Sequence, residues 1–73
     1  MTKYEFVVDW FKRNATRKFT NAELERLLRE AYHSEYSDDF RDPLREARKA
    51  HERGVIHRTP KGRDQVYWYD SSS

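Results

Sequence analysis

The sequence contains no cysteine, only two glycines and two prolines, and no long run of apolar residues. Without cysteine, the chain has neither disulfide bonds nor thiolate ligands for a metal, which argues against a small secreted scaffold. A membrane-spanning helix needs about 18 or more consecutive apolar residues, so we expect no membrane association. Residues 1–5 also lack the apolar stretch of a signal peptide. These absences favour a cytoplasmic or nuclear protein.

The chain is short and polar, which bounds its organisation. It has 73 residues, of which 38% are charged and 36% hydrophobic, close to the composition at which chains remain unfolded. Four Phe, five Tyr and two Trp favour folding, because each aromatic side chain can bury about 150–250 Å². We therefore predict one domain over residues 1–70 and a disordered tail over residues 71–73. Such a chain has little room for a shielded catalytic pocket.

Start and stop signals predict three helices, roughly over residues 3–13, 21–32 and 43–53. The first two each follow a Thr-x-x-Glu capping box, in which the threonine oxygen accepts the backbone N–H three residues later and the glutamate reaches back. We expect Asn14 to end the first helix in the left-handed conformation. The polar segment 33–42 is predicted to be a loop.

The third helix has the clearest boundaries. Asp42 can cap it, and Pro43 suits the first helical position because its missing N–H has no partner there. Gly54 is expected to end the helix in the left-handed conformation. The side predicted to be buried carries Leu44, Ala47, His51 and Val55.

The composition of the last third changes to that of β-structure. Residues 55–59 and 65–69 are rich in β-branched and aromatic side chains, and residues 60–62 have turn chemistry. They predict a β-hairpin, which residues 17–19 could join as a third strand. Because a two-stranded hairpin is marginal alone, it must pack on the helices. The predicted class is α+β, three helices followed by a C-terminal hairpin.

No pattern in the sequence indicates catalysis or cofactor binding. His51-Glu52 begins like the H-E-x-x-H motif of zinc proteases, but Val55 stands where the second histidine is needed. Asp38 and Asp39 are more typical of capping and solvated positions than of a catalytic pair. We therefore predict a protein that is not an enzyme and that has no metal and no cofactor.

The formal charge of +2 is unevenly distributed. Residues 15–42 carry five cations and seven acids, whereas residues 43–73 carry seven cations and four acids. A basic helix beside a basic hairpin favours DNA, since phosphates attract Lys and Arg and the major groove admits one helix. The cations predicted to contact DNA are Arg41, Arg45, Arg48, Lys49, Arg58, Lys61 and Arg63. Alternatively they are ordinary solvated charges, paired in part with Glu46 and Glu52.

Over roughly residues 3–70, the chain resembles a winged helix-turn-helix domain. The resemblance depends on the second helix opening at Phe19-Thr20-Asn21-Ala22-Glu23-Leu24, and on the passage Asp42-Pro43-Leu44-Arg45-Glu46-Ala47-Arg48-Lys49-Ala50-His51-Glu52-Arg53-Gly54-Val55-Ile56. The basic Lys61-Gly62-Arg63 and the aromatic Tyr67-Trp68-Tyr69 match a wing tip and a last wing strand. One departure is the segment 33–42, which is longer than the usual tight turn.

The resemblance implies a function. Helix 3 would enter the major groove of double-stranded DNA with Arg45, Arg48 and Lys49, while Lys61 and Arg63 of the wing would contact the backbone or minor groove. The small size is similar to that of phage or prokaryotic regulators. The resemblance therefore implies a non-enzymatic transcriptional regulator. Such a protein would be cytoplasmic and nucleoid-associated, or nuclear in a eukaryote.

Two aromatic residues of the first helix leave an alternative open. Phe6 and Trp10 lie well away from the line of Tyr4 and Phe11 on the helical wheel. Either they pack against the hairpin or the 33–42 loop, or they form an exposed patch. An exposed patch would suit a homodimer reading two half-sites. It would equally suit a winged-helix protein-interaction module, an adaptor or inhibitor, that uses these rings or the acidic 33–42 loop.

Overall fold

A computed structural model describes residues 1–59 and 65–70, and within them three helices and three short strands form an α+β fold. The helices are α1 (Lys3–Arg13), α2 (Asn21–Tyr36) and α3 (Pro43–Glu52), and the strands are β1 (Phe19–Thr20), β2 (His57–Arg58) and β3 (Val66–Trp68). The strands form one antiparallel sheet in the order β1-β3-β2. The two predicted hairpin strands are confirmed. A third strand also forms, but at Phe19–Thr20, later than the predicted residues 17–19. The hairpin tip and the 71–73 tail lie outside the described residues.

Both predicted capping boxes are formed. The Thr2 hydroxyl accepts the Glu5 N–H at 3.1 Å, and the Glu5 carboxylate accepts the Thr2 N–H at 2.9 Å. The pKa of Glu5 is lowered by its hydrogen bonds to Thr2. The larger effect comes from the Thr2 backbone N–H and the smaller one from the Thr2 side chain.

The prediction that Asn14 ends α1 in the left-handed conformation is wrong, because its φ is −111°. Instead, its side-chain amide donates to the Trp10 carbonyl at 2.8 Å, which satisfies a C-terminal acceptor of α1.

Helix α2 is one turn longer than its sequence predicts. It continues to Tyr36 and ends at Ser37, which adopts the left-handed conformation with φ 55°. The prediction of a loop from residue 33 is therefore wrong. The extra turn carries the Tyr36 ring, whose centroid lies 5.9 Å from that of Phe6 and 4.8 Å from that of Tyr32. Aromatic packing thus offsets the weak helical preference of the local polar residues.

Helix α1 supplies the centre of the core. Phe6 is 1% exposed and Trp10 9% exposed, so the alternative in which they form an exposed patch is wrong. Phe6 packs edge-on against Phe40 of the 33–42 segment, with ring centroids 6.4 Å apart, as one of the sequence alternatives proposed. Trp10 packs against Phe19 of β1 at 4.8 Å. The Phe6 ring therefore packs beside the C-terminal end of α2, and the Trp10 ring packs beside its N-terminal end. Because both rings are buried, neither is available to a partner.

Helix α3 is rotated relative to the sequence prediction. Ala47 is buried as predicted, but the other buried residues are Pro43 and Ala50, whereas Leu44, His51 and Val55 are only half-buried. The small alanine side chains let the backbone of α3 come close to both α1 and α2. The larger apolar residues Leu44 and Val55 therefore lie at the edges of these helix–helix contacts. Gly54 has φ +76° and ends the helix as predicted.

The contribution of Phe40 to the last turn of α2 can be tested by amide hydrogen exchange. In Phe40→Leu, we expect the Ser37 amide, which donates to the His33 carbonyl at 2.8 Å, to exchange about fivefold faster. The reason is the loss of an aromatic contact worth about 1 kcal/mol to Tyr32 and Phe6.

The matched control is Phe19→Leu, which shortens an equally buried ring beside Trp10 at the other end of α2. Exchange at Ser37 should not be selectively accelerated in that variant. Equal acceleration in both variants would show that the turn does not depend on Phe40.

Candidate nucleic-acid interface

The solvent-facing side of α3 is basic. Because Pro43, Ala47 and Ala50 face the core, residues about half a turn away must face solvent. The exposed side chains on this side are Arg45, Arg48 and Glu52. Lys49 lies beside them and is half-buried. The face therefore presents three cations and one acid. A single α-helix of this kind fits the major groove of DNA.

Internal ion pairing affects only part of this face. The Lys49 Nζ lies 3.6 Å from a carboxylate oxygen of Glu46, so the sequence alternative of paired charges holds for this residue. Within residues 1–59 and 65–70, no carboxylate lies within ion-pair distance of Arg45 or Arg48. Their guanidinium groups can therefore donate to an external acceptor.

The acidic residues before α3 have local structural roles. Asp42 accepts the Arg45 backbone N–H at 3.3 Å and so caps the helix. Asp38 accepts the Asp39 backbone N–H at 2.8 Å within the loop. Because Asp42 occupies the N-terminus of α3, an anion would be repelled there, so the groups of α3 that are placed to meet an anion are the side chains on its outer face.

Arg29 of α2 holds the segment that leads into α3, and the sequence analysis missed this role. Its Nε donates to the Phe40 carbonyl at 3.2 Å and its Nη2 to the Arg41 carbonyl at 2.8 Å. Its guanidinium also lies 2.8 Å from the Glu25 carboxylate. Helical spacing places Arg29 only on the polar side of α2, so no sequence signal reveals these long-range hydrogen bonds.

The other predicted DNA contacts are on different elements. Arg41 is exposed and immediately precedes the capped start of α3, where it lines the same shallow depression as Arg45. Arg58 lies on β2, half-buried and in register with Tyr67. Lys61 and Arg63 lie outside the described residues. The structure therefore assembles four of the seven predicted cations around α3.

Two further cations next to the sheet were missed by the sequence analysis. Arg17 places its guanidinium 5.2 Å from the Phe19 ring, and Lys18 places its ammonium 5.2 Å from the Trp68 ring. Their position before a third strand is the only signal that the sequence contains. The basic character of the sheet is therefore greater than the hairpin sequence alone indicates.

Neither a membrane span nor a metal site is found in the part of the chain that the structure describes. None of its helices is long and apolar enough to cross a bilayer. No group of three or more His, Cys, Asp or Glu side chains in residues 1–59 and 65–70 could hold a metal ion.

Removing Arg29 should loosen the entry to α3. We expect Arg29→Ala to lower the free energy of unfolding by about 1 kcal/mol, since two backbone carbonyls lose a charged donor that is itself partly exposed. Arg29→Lys should recover little, because an ammonium cannot reproduce the guanidinium fork. Urea denaturation measures both variants.

The control for this test is Arg26→Ala, which removes an exposed cation from the same helix. That variant should stay within about 0.5 kcal/mol of the unmodified chain. An equal loss in both variants would contradict a role for Arg29 in holding residues 40–41.

Comparisons with known proteins address the fold. No protein-family model and no curated protein matches the chain. A solved structure from work on the DNA recognition and protein interaction domains of HOP2, and on its homologous DNA pairing properties, matches with a TM-score of 0.66. The identity is 10%, and the match covers 94% of this chain and 100% of that chain. At this identity the likeness shows a shared fold. The three helices and small antiparallel sheet are consistent with a winged helix.

Proposed function

We propose that this chain binds double-stranded DNA, with the outer face of α3 in the major groove and the hairpin on the backbone or minor groove. The observation that carries the proposal is the pair of exposed guanidinium groups of Arg45 and Arg48 on the side of α3 opposite the core. Arg donates in a fork that matches the edge of guanine or a phosphate. The fold shared with a structure from work on DNA recognition by HOP2 supports a DNA partner.

The remaining cations supply contacts that do not depend on base sequence. Arg41 and Lys49 flank the outer face of α3, and Arg58 lies on the sheet. Lys61 and Arg63 are proposed to reach the backbone or minor groove from the hairpin tip. Phosphate contacts of this kind supply most of the affinity and set the orientation, whereas base contacts give specificity.

The biological role that fits is non-enzymatic transcriptional regulation. A small domain that inserts one helix into the major groove can occupy a site on DNA without catalysing a reaction. Homodimerisation on two half-sites would require a surface other than Phe6 and Trp10, which are buried.

A protein-interaction module remains the second candidate, in a narrower form. Its supporting observation is the exposed end of α2, where Tyr36 is 43% exposed beside the exposed acids Glu35, Asp38 and Asp39. This surface would attract a basic partner, whereas the α3 surface would attract DNA. The two candidates therefore assign opposite charge to the partner.

The salt dependence of duplex binding tests the proposal. A module making about four to six phosphate contacts should give a slope near −4 to −5 for log affinity against log salt. Lys61→Ala should reduce the magnitude of that slope by about 1 and weaken all duplexes alike. Arg45→Ala should cost about 1–3 kcal/mol on the preferred sequence and relax specificity, if its guanidinium reads a base. Fluorescence anisotropy measures each.

Arg13→Ala is the matched control, because Arg13 is a surface arginine of α1 that is already paired with Asp9 at 3.1 Å. It should change duplex affinity little. Absence of duplex binding at low salt, or equal effects of Arg13→Ala and Arg45→Ala, would contradict the α3 interface and favour the acidic surface of α2.

A further inference from the structure

The sheet aligns three side chains in a row on its outward face. Successive residues of a strand point to opposite faces, so Trp68 faces away from the buried Tyr67. His57 is the register partner of Trp68 and therefore shares its face. On the other side, Lys18 precedes the buried Phe19 of β1 and also points outward. The row runs Lys18, Trp68, His57 across the sheet.

The contacts within this row form a stack of polar and aromatic groups. The Lys18 Nζ lies 5.2 Å from the centroid of the Trp68 ring. The His57 imidazole lies 5.4 Å from the same ring, with the two planes 30° apart. Trp68 is half-buried and is not part of the hydrophobic core, whereas Lys18 and His57 are exposed. The indole is therefore held on the surface by two groups that can interact with a ligand.

The row is open at one end. β2 is an edge strand, so no described strand covers the side of His57 that faces away from Trp68. A planar ring placed there would extend the His57–Trp68 stack. Aromatic platforms of this kind bind nucleobases, each of which has a π-face of the required shape.

Among the described residues of the sheet, Lys18 is the cation on this outward face. Arg17 and Arg58 alternate with Lys18 and His57 along the chain, so they lie on the opposite side of the sheet, where Arg17 contacts the Phe19 ring and Arg58 is in register with Tyr67. A phosphate near a stacked base would therefore meet Lys18. Bases of a duplex are already stacked on one another, so only unpaired nucleotides can present a ring to His57.

We propose that the outward face of the sheet is a second nucleic-acid site, which binds a single strand by stacking an unpaired base on the His57–Trp68 pair and by contact of Lys18 with a phosphate. This site is separate from the α3 face and does not depend on it. The chemistry is shared by single-stranded DNA and RNA, and the experiment distinguishes the two sources.

The test titrates the full chain into labelled oligothymidylate and oligouridylate of about 12 nucleotides, within the range of known single-strand site sizes. Neither strand can pair with itself. We expect saturable binding, and His57→Ala should weaken it about fivefold or more, as for the loss of one stacked base. Lys18→Ala should reduce the magnitude of the salt slope by about 0.7, the value for one phosphate contact on a single strand. The more tightly bound oligonucleotide identifies the source.

The chain offers matched controls for both variants. His33→Ala and Lys12→Ala remove an exposed histidine of α2 and an exposed lysine of α1. Both should leave single-strand binding unchanged. A second measurement uses Trp10→Phe, which leaves Trp68 as the only tryptophan. A change in its fluorescence on oligonucleotide binding is expected, because the base would stack on the imidazole that contacts the indole.

The two sites are separated by crossing the variants. Arg45→Ala should weaken duplex binding and leave single-strand binding intact, whereas His57→Ala should do the reverse. The proposal is overturned if no saturable single-strand binding occurs, or if His33→Ala weakens it as much as His57→Ala does. It is also overturned if Arg45→Ala abolishes single-strand binding, or if His57→Ala abolishes duplex binding, because the sheet face would not then be a separate site.

Discussion

The packing of Phe6 against the aromatic rings of α2 and the following loop is the contact on which the rest of the structure depends. Its ring meets those of Tyr32, Tyr36 and Phe40 at centroid distances of 5.2, 5.9 and 6.4 Å. Burial of one such side chain contributes about 1.5–3 kcal/mol, and each aromatic pair about 0.5–1.5 kcal/mol more. Because Phe40 lies two residues before the Asp42 cap, this cluster also holds the start of α3 against α1 and α2.

Local signals in the sequence predict where the helices begin. Capping boxes and the Asp42-Pro43 pair act within a few residues, so the starts of α1, α2 and α3 agree with the structure. The end of α2 could not be predicted in this way, because its last turn is stabilised by rings from α1 and from residue 40. The rotation of α3 was missed for a similar reason. Alanines appear weakly apolar in sequence but permit the close approach of two helices.

The basic face of α3 was predictable only in part, because helical spacing gives the angles between Arg45, Arg48 and Lys49 but does not say which side of the helix the core covers. The support behind that face was not predictable. Arg29 reaches carbonyls 11 and 12 residues away, and the row of Lys18, Trp68 and His57 exists only through strand register. Pairing between distant segments determines both, and neither has a local sequence pattern. A chain of net charge +2 thus places Asp38 and Asp42 in local capping and loop positions before α3, and presents Arg45 and Arg48 on the outer face of the helix.

The most direct test of the central claim is a titration of the ¹⁵N-labelled chain with duplex DNA, followed by NMR chemical shifts. We expect the largest changes at residues 45–52 of α3 and in the hairpin, with little change at residues 9–13 of α1. Changes confined to the 33–39 end of α2 and its loop, or no change at low salt, would contradict DNA binding by α3.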